Sequence, residues 1–128
     1  MDKVITIHDY YDGIRAGVAT FNGGYCIYES DFEDVSKGGG DVFYLTPISD
    51  DVFDKIIKDW ERWIRWMEEH QSAEGWKEAR EFELFEVAKQ CAEYQKFIRY
   101  GTFHGGFKNF HSYPENLSVI WSDTNPRG

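Results

Sequence analysis

The stretch that decides the fold is PISDDVFDKIIKDWERWIRWMEEH, residues 47–70, which predicts one long amphipathic helix. Ser49 can cap its first turn by accepting a backbone N–H hydrogen bond. Asp50 and Asp51 follow, where the positive end of the helix dipole favours carboxylates. At 100° per residue one face collects the apolar side chains Phe53, Ile56, Ile57, Trp60, Ile64 and Met67. We therefore expect this face to pack on the core, with Trp60 and Ile64 buried.

The opposite face of this helix carries basic side chains beside a tryptophan. The basic residues recur at spacings of three, four and three positions: Lys55, Lys58, Arg62 and Arg65. Trp66 projects on the same side, and a tryptophan beside arginines can form a binding hot spot or stack on a planar ligand. The alternative is an ordinary solvated face, because nearby carboxylates such as Asp54 and Glu61 can neutralise the basic residues.

A second group of charges lies near the N-terminus, around a glycine turn. Asp12 and Arg15 flank Gly13, with His8 and Asp9 just before them. Such a turn can pair the two charges at the surface or expose both to a ligand. The candidate small-ligand or nucleotide site drawn from both groups comprises Asp12, Arg15, Arg62, Arg65 and Trp66.

Composition and charge bound the function. A chain of 128 residues suits one domain, and 41% hydrophobic with 18% aromatic residues is enough for a packed core. The net charge of −9 argues against binding to duplex nucleic acid, which needs lysine and arginine contacts to phosphates. The same charge permits a basic partner. Four carboxylates gather in one polar segment and form the candidate partner-binding site: Glu29, Asp31, Glu33 and Asp34.

The compartment follows from the absence of targeting signals and from cysteine usage. The sequence contains no run of about 18 apolar residues, and its N-terminus lacks the apolar core and cleavage site of a signal peptide. We therefore expect a cytoplasmic protein that does not enter a membrane. Cys26 and Cys91 are far apart and in no metal-binding pattern, so they are interpreted as two buried free thiols.

Strand signals lie on both sides of the helical region. Asn22-Gly23-Gly24 predicts a hairpin, because asparagine and glycine tolerate the positive φ of tight turns. The strands expected from apolar patterning are Val4–His8, Ile14–Phe21, Tyr25–Tyr28, Asp41–Leu45 and a closing strand Leu117–Trp121. A second helix is expected from about Trp76 to Arg99, with Ile98 on its apolar face, followed by a loop from Gly101 to Asn116.

Several segments resemble a known group of sequences. They are YYDGIRAG (Tyr10–Gly17), YLTPIS (Tyr44–Ser49), DWERWIRW (Asp59–Trp66) and VIWS (Val119–Ser122). In this order they resemble an uncharacterised family of small bacterial proteins, whose members commonly begin YYDGPRSG. Ile14 and Ala16 replace the proline and serine of that pattern. The resemblance implies a shared fold and brings no activity, cofactor or catalytic residue with it.

Three further motifs predict no chemistry. The glycines of Lys37-Gly38-Gly39-Gly40 lack the GxxxxGK[ST] pattern and a following helix, so they are interpreted as a loop rather than a phosphate cradle. His104 and His111 are seven residues apart in irregular chain without an adjacent third ligand, so no metal is expected. No nucleophile elbow or triad pattern arranges the serines, cysteines and histidines.

The sequence therefore predicts a single α+β domain spanning residues 1–128. Its expected architecture is an antiparallel sheet of four to five strands packed against two long antiparallel helices, with the C-terminal strand returning to the sheet. The leading functional hypothesis is a non-catalytic, small acidic recognition protein of the immunity or inhibitor type, binding a basic protein partner without a cofactor. The alternative is a protein that binds a small anionic ligand or nucleotide through the Arg62, Arg65 and Trp66 helix face. An enzyme ranks third.

Overall fold

The computed structural model describes residues 1–10, 13–31, 42–70, 97–106 and 114–124. Within them the chain forms seven strand segments and one helix. The strands are β1 (Asp2–Lys3), β2 (Asp9–Tyr10), β3 (Ile14–Phe21), β4 (Gly24–Ser30), β5 (Val42–Ile48), β6 (Phe97–Gly106) and β7 (Asn116–Ser122). The helix, α1, spans Asp50–His70.

The strands form one sheet that closes on itself. Their order is β1-β7-β6-β5-β4-β3-β2, and every neighbouring pair is antiparallel. β1 and β2 belong to the same N-terminal stretch, which pairs first with β7 and then with β3. Val4 is the closing residue: its N–H donates to the Leu117 carbonyl oxygen at 3.1 Å, and it bridges to Ala19. The result is a closed six-stranded antiparallel barrel.

The β3–β4 connection confirms the hairpin predicted from Asn22-Gly23-Gly24. Asn22 has φ 52° and Gly23 has φ 79°, so both residues of the tight turn lie in the left-handed region. Phe21 pairs with Gly24 directly across the turn. A two-residue turn of this handedness matches the natural twist of paired strands.

The interior of the barrel is a core rich in aromatic side chains. Alternate side chains of each strand point inward, as the two-residue period of a strand requires. The rings of Tyr28, Phe43, Phe103 and Trp121 meet there, with centroids 5.6–6.1 Å apart in tilted or edge-on arrangements. Gly101 makes room for them, because a Cβ at this position would lie 2.6 Å from Cζ3 of Trp121.

A buried hydrogen bond lies on the inner surface of the barrel, over β3. The Tyr28 hydroxyl donates to the Thr6 carbonyl oxygen at 2.7 Å, and Tyr28 is completely buried. Gly17 is the residue that permits the approach, since a Cβ there would lie 2.2 Å from the Thr6 oxygen and 2.6 Å from the Tyr28 hydroxyl. The bond ties the N-terminal stretch to β4 across the intervening strand β3.

Helix α1 packs on the outside of the barrel. Its start follows the sequence prediction, with Ser49 Oγ accepting the Val52 N–H at 3.3 Å. Ile56 is buried with Val18 and Ile27, which point outward from β3 and β4. The apolar face contributes further contacts from its first turn, where the Phe53 ring stacks on Tyr25 with centroids 3.7 Å apart.

The far part of the same helix face follows the prediction only partly. Trp60 is 2% exposed, as expected, whereas Ile64 is half-buried. Trp60 packs against His8, with the ring centroids 4.6 Å apart and the planes tilted by 36°. The helix is therefore anchored most firmly at Ile56 and Trp60, over β3, β4 and the N-terminal stretch.

The predicted α+β architecture is wrong. The sheet is a closed barrel rather than an open sheet of four to five strands packed against two long helices. Phe97–Gly106, expected to be the end of a second helix and a loop, is strand β6, and Ile98, expected in a helical core, is 58% exposed. The physical reason is that β6 pairs along its length with β5 and β7, which satisfies its backbone groups in a ladder. Residues 71–96, where most of the second helix was expected, lie outside the described residues.

The cysteine prediction is confirmed for the residue that can be assessed. Cys26 is a free thiol with no exposed surface. Burial, reinforced by the Asp2 carboxylate, raises the pKa of this thiol from 9.0 to about 12. A thiol that stays protonated is a poor nucleophile, so Cys26 serves as a small apolar core residue. Cys91 lies outside the described residues.

Candidate protein-binding face

Three side chains from neighbouring strands form a row on the outer surface of the barrel. Glu29 pairs with Tyr44 across β4 and β5, and Tyr44 pairs with Ile98 across β5 and β6. Tyr28 and Phe43 point inward, so the row is on the outside. The sheet thus places a carboxylate, a phenol ring and an aliphatic side chain side by side.

Apolar side chains extend this row towards β7. Val42 pairs with Tyr100, and Ile120 follows on β7, two residues before the partner of Tyr100. Ile98 and Ile120 are 58% and 42% exposed, which is unusual for isoleucine in a packed domain. We call this surface the acidic–aromatic face; it comprises Glu29, Asp31, Val42, Tyr44, Ile98, Tyr100 and Ile120.

The acidic end of the face is held in place by two hydrogen bonds. The Asp31 N–H donates to the Val42 carbonyl oxygen at 2.9 Å, which extends the β4–β5 ladder beyond Ser30. The Tyr44 hydroxyl donates to Asp31 Oδ2 at 3.2 Å. Glu29, Asp31 and Tyr44 are each half-buried. The two carboxylates predicted to bind a partner are therefore ordered beside an aromatic ring, while Glu33 and Asp34 lie outside the described residues.

The residues of the alternative ligand site lie on different elements. Arg62, Arg65 and Trp66 are on α1, and Arg15 is on β3. Arg62 Nη1 lies 3.6 Å from Oδ1 of the buried Asp59, one turn earlier on the helix. Arg65 is exposed and Trp66 is half-buried. Asp12 lies outside the described residues.

The sequence groups His8 with the charged residues around the Gly13 turn, but in the structure it contacts Thr6 and Trp60. Its Nδ1 lies 2.8 Å from Thr6 Oγ1, which also accepts the Val18 N–H at 3.0 Å. The imidazole ring also contacts the Trp60 ring. The histidine therefore joins the N-terminal stretch to α1.

The remaining motifs supply no metal or phosphate site that can be assessed. His104 is exposed on the outer surface of β6, and His111 and Lys37–Gly40 lie outside the described residues. Within residues 1–10, 13–31, 42–70, 97–106 and 114–124, no three histidine, cysteine, aspartate or glutamate side chains are grouped to hold a metal ion. In the same ranges no helix is long and apolar enough to cross a membrane.

Sequence reasoning missed Arg99, which lies at one end of the barrel. Its guanidinium carbon is 5.6 Å from the ring centroid of Phe21 and 5.3 Å from that of Phe97. The two rings are 5.3 Å apart and tilted by 58°, so the cation lies in the cleft between them. The expected helix ending at Arg99 concealed this arrangement, because the contact with Phe21 exists only once β6 is a strand.

Sequence reasoning also missed the apolar half of the acidic–aromatic face. The two carboxylates were found because they are close in sequence, whereas Tyr44, Ile98 and Ile120 come together only through strand register. Comparison of the chain with protein-family models, with curated proteins and with solved structures finds no match.

Proposed function

We propose that this chain is a non-catalytic recognition protein of the immunity or inhibitor type, which works in the cytoplasm and binds a basic protein through its acidic–aromatic face. The observation that supports this function is the row Glu29–Tyr44–Ile98, in which a carboxylate adjoins an aromatic ring and an exposed isoleucine. Protein interfaces combine apolar side chains with charged ones, and this row contains both. The proximity of the carboxylate to the apolar side chains supports a protein partner.

The apolar part supplies the reason for a stable complex. Interface centres are enriched in aromatic and aliphatic side chains that exclude water, and a few such residues carry most of the binding free energy. Tyr44, Tyr100 and Ile98 form such a centre. Because they project from a paired sheet, they lose little conformational entropy when a partner covers them.

The charged part supplies the reason for a basic partner. Glu29 and Asp31 border the aromatic residues, and the whole chain carries a net charge of −9. A second copy of the same face would bring like charges together, which disfavours self-association. A surface rich in lysine and arginine would instead be attracted during diffusional encounter.

The test is capture of a partner from the source cell, followed by association kinetics. Reversing Glu29 and Asp31 to lysine should slow association by at least about tenfold at low salt, because electrostatic steering is removed. The matched control is the double reversal of Glu68 and Glu69, which changes the net charge equally but lies on α1. Wild-type association should also slow as salt rises, since the Debye length falls to about 10 Å at 0.1 M.

The apolar part needs its own variant. Ile98→Ser should leave the association rate nearly unchanged and raise the dissociation rate, because it removes burial rather than charge. Equal association rates for the wild type and the Glu29/Asp31 reversal would show that the acidic half is only a solvated surface. If the partner dissociates from Ile98→Ser as slowly as from the wild type, the apolar half of the face does not contribute to binding.

Binding of a small anion or nucleotide to α1 remains a second candidate, favoured by the exposed Arg65 beside the half-buried Trp66. A ligand held there should raise the melting temperature of the protein by mass action. Trp66→Ala should abolish that rise. A nucleotide panel that produces no shift would count against this candidate.

A further inference from the structure

Helix α1 shows how this barrel holds a helix on its outer wall. Its anchoring side chains are Phe53, Ile56 and Trp60, which occupy positions i, i+3 and i+7 of one helix face. Phe53 stacks on Tyr25 of β4, and Ile56 is buried over β3 and β4. Trp60 then packs against His8, in the N-terminal stretch that pairs with β3. The helix therefore crosses the strands, and its successive inward turns meet successive segments of the sheet.

The acidic–aromatic face offers nearly the same spacing on another part of the wall. Glu29, Tyr44 and Ile98 are direct neighbours across β4, β5 and β6. Adjacent strands lie about 4.8 Å apart, so Tyr44 and Ile98 are about 5 and 10 Å from Glu29 along the row. Residues i+3 and i+7 of a helix lie about 4.5 and 10.5 Å from residue i along its axis. Side chains on one face of a strand are about 6.6 Å apart instead, so a helix laid across the strands matches this row and a strand does not.

Charge and exposure decide which side chains such a helix carries. Glu29 and Asp31 lie at one end of the face, so they favour a lysine or arginine at position i. At the other end Ile98 and Ile120 are exposed, and an apolar side chain at position i+7 would remove them from water. Between them the Tyr44 hydroxyl donates to Asp31 Oδ2 at 3.2 Å, which holds the ring in place for the residue at i+3.

We propose that the partner presents a basic amphipathic helix, which lies across β4, β5 and β6 as α1 lies across β4, β3 and the N-terminal stretch. The helix carries a lysine or arginine over Glu29, and apolar residues three and seven positions later over Tyr44 and Ile98. Amphipathic helices are recognised by other proteins through residues at the same intervals. This inference rests on the proposed function, to which it adds the secondary structure and the side-chain pattern of the partner.

The test uses two synthetic peptides that contain the same numbers of leucines and lysines. Each has about 14 residues, enough for about four helical turns. One places leucine at helical intervals, whereas the other alternates leucine with lysine as a strand does. Both are titrated into the ¹⁵N-labelled protein, below the concentration at which either peptide associates with itself, and nuclear magnetic resonance follows the backbone amide signals.

The helix-pattern peptide should bind at least about tenfold more tightly than the strand-pattern peptide, because only a helix contacts Glu29 and Ile98 together. It should shift the amide signals of Tyr44, Ile98 and Ile120 and leave that of the exposed Lys58 on α1 unchanged. The circular dichroism of the mixture should show more helix than the sum of the separate spectra, since the peptide becomes helical on binding.

Matched variants locate the bound helix. Ile98→Ser should weaken binding of the helix-pattern peptide about tenfold, because burial of one isoleucine side chain is lost. Its control is His104→Ser, an exposed position on the same side of the same strand, which should change nothing. Glu29→Gln should weaken binding about two- to fivefold, against no change for Glu68→Gln on α1.

Each outcome bears on either the helix or the proposed function. Equal affinities for the two peptides, or no binding of either, would overturn the helix. Equal binding to Ile98→Ser and His104→Ser would also overturn it, because the peptide would lie elsewhere. Amide shifts on the face that depend on protein concentration alone would assign the face to a second copy of the chain and overturn it too.

The two proposals can fail separately. If a captured basic partner is slowed by the Glu29 and Asp31 reversal but the helix-pattern peptide is not preferred, the proposed function stands and the helix is wrong. If the helix-pattern peptide binds over Ile98 but a captured partner associates equally fast with the reversed protein, the helix site stands and the proposed function is wrong.

Discussion

Replacing Tyr28 by phenylalanine removes a single oxygen atom from the centre of the barrel. The ring stays, so its contacts with Phe43, Phe103 and Trp121 are retained. What disappears is the 2.7 Å hydrogen bond to the Thr6 carbonyl oxygen. Because both residues are completely buried, water cannot replace the lost donor.

The expected cost follows from that burial. A buried polar group left without a partner costs about 1–3 kcal/mol, compared with about 5–15 kcal/mol for the whole stability of a domain. We therefore expect Tyr28→Phe to lower the free energy of unfolding by about 1–3 kcal/mol. In urea, with a slope near 2 kcal/mol per molar, the midpoint should fall by about 0.5–1.5 M.

The control is Tyr100→Phe, which removes a hydroxyl from a half-exposed tyrosine on the outer face. It should change the stability by less than about 0.5 kcal/mol. Gly17→Ala provides a second arm, because its Cβ would lie 2.6 Å from the Tyr28 hydroxyl and must disturb the same hydrogen bond. The double variant should lose less free energy of unfolding than the sum of the losses in Gly17→Ala and Tyr28→Phe. If Tyr28→Phe costs no more than Tyr100→Phe, the hydroxyl does not fix the N-terminal stretch and the reasoning fails.

Three further predictions concern the core and the helix. The Cys26 thiol keeps its proton to about pH 12 in the native state but loses it near pH 9.0 when unfolded, so this thiol should lower the stability by about 1.0 kcal/mol between pH 9.0 and 10.0; Cys26→Ala should lack this part of the slope in urea titrations. Trp60→Ala should cost about 3–5 kcal/mol, against under about 0.5 kcal/mol for the exposed Lys58→Ala. Gly101→Ala should cost about 1–3 kcal/mol, because its methyl group would lie 2.6 Å from Trp121, and a thermal melt should show the loss.

The sequence could predict those parts of the fold that depend on residues close together in the chain. The start of α1 depends on Ser49 and the two acids after it, and the β3–β4 turn depends on Asn22 and Gly23, so neighbouring residues contain the whole signal. Closure of the sheet has no such local signature. It depends on Val4 meeting both Leu117 and Ala19, which no short window of sequence records.

Strand β6 shows why periodicity misled. Its inward positions include Arg99 and Gly101, whereas its outward positions include Ile98 and Tyr100. The alternation of apolar and polar residues that marks a half-buried strand is therefore inverted over this stretch. The same inversion hid the candidate site, since Ile98 was assigned to a core although it is exposed. The carboxylates at Glu29 and Asp31 could be found because acidity is visible residue by residue.

Closure by the first residues of the chain has a consequence for synthesis on the ribosome. Ser118 Oγ donates to Met1 Sδ across a sequence separation of 117 residues, so the seam is completed only after β7 has emerged. Until then β6 and the N-terminal stretch each have an open edge, and unpaired strand edges invite aggregation. Contacts so distant in sequence also slow folding. A nascent chain of this protein therefore needs shielding until β7 is made, and we expect its yield to depend more on chaperone supply than that of a helical protein of equal length.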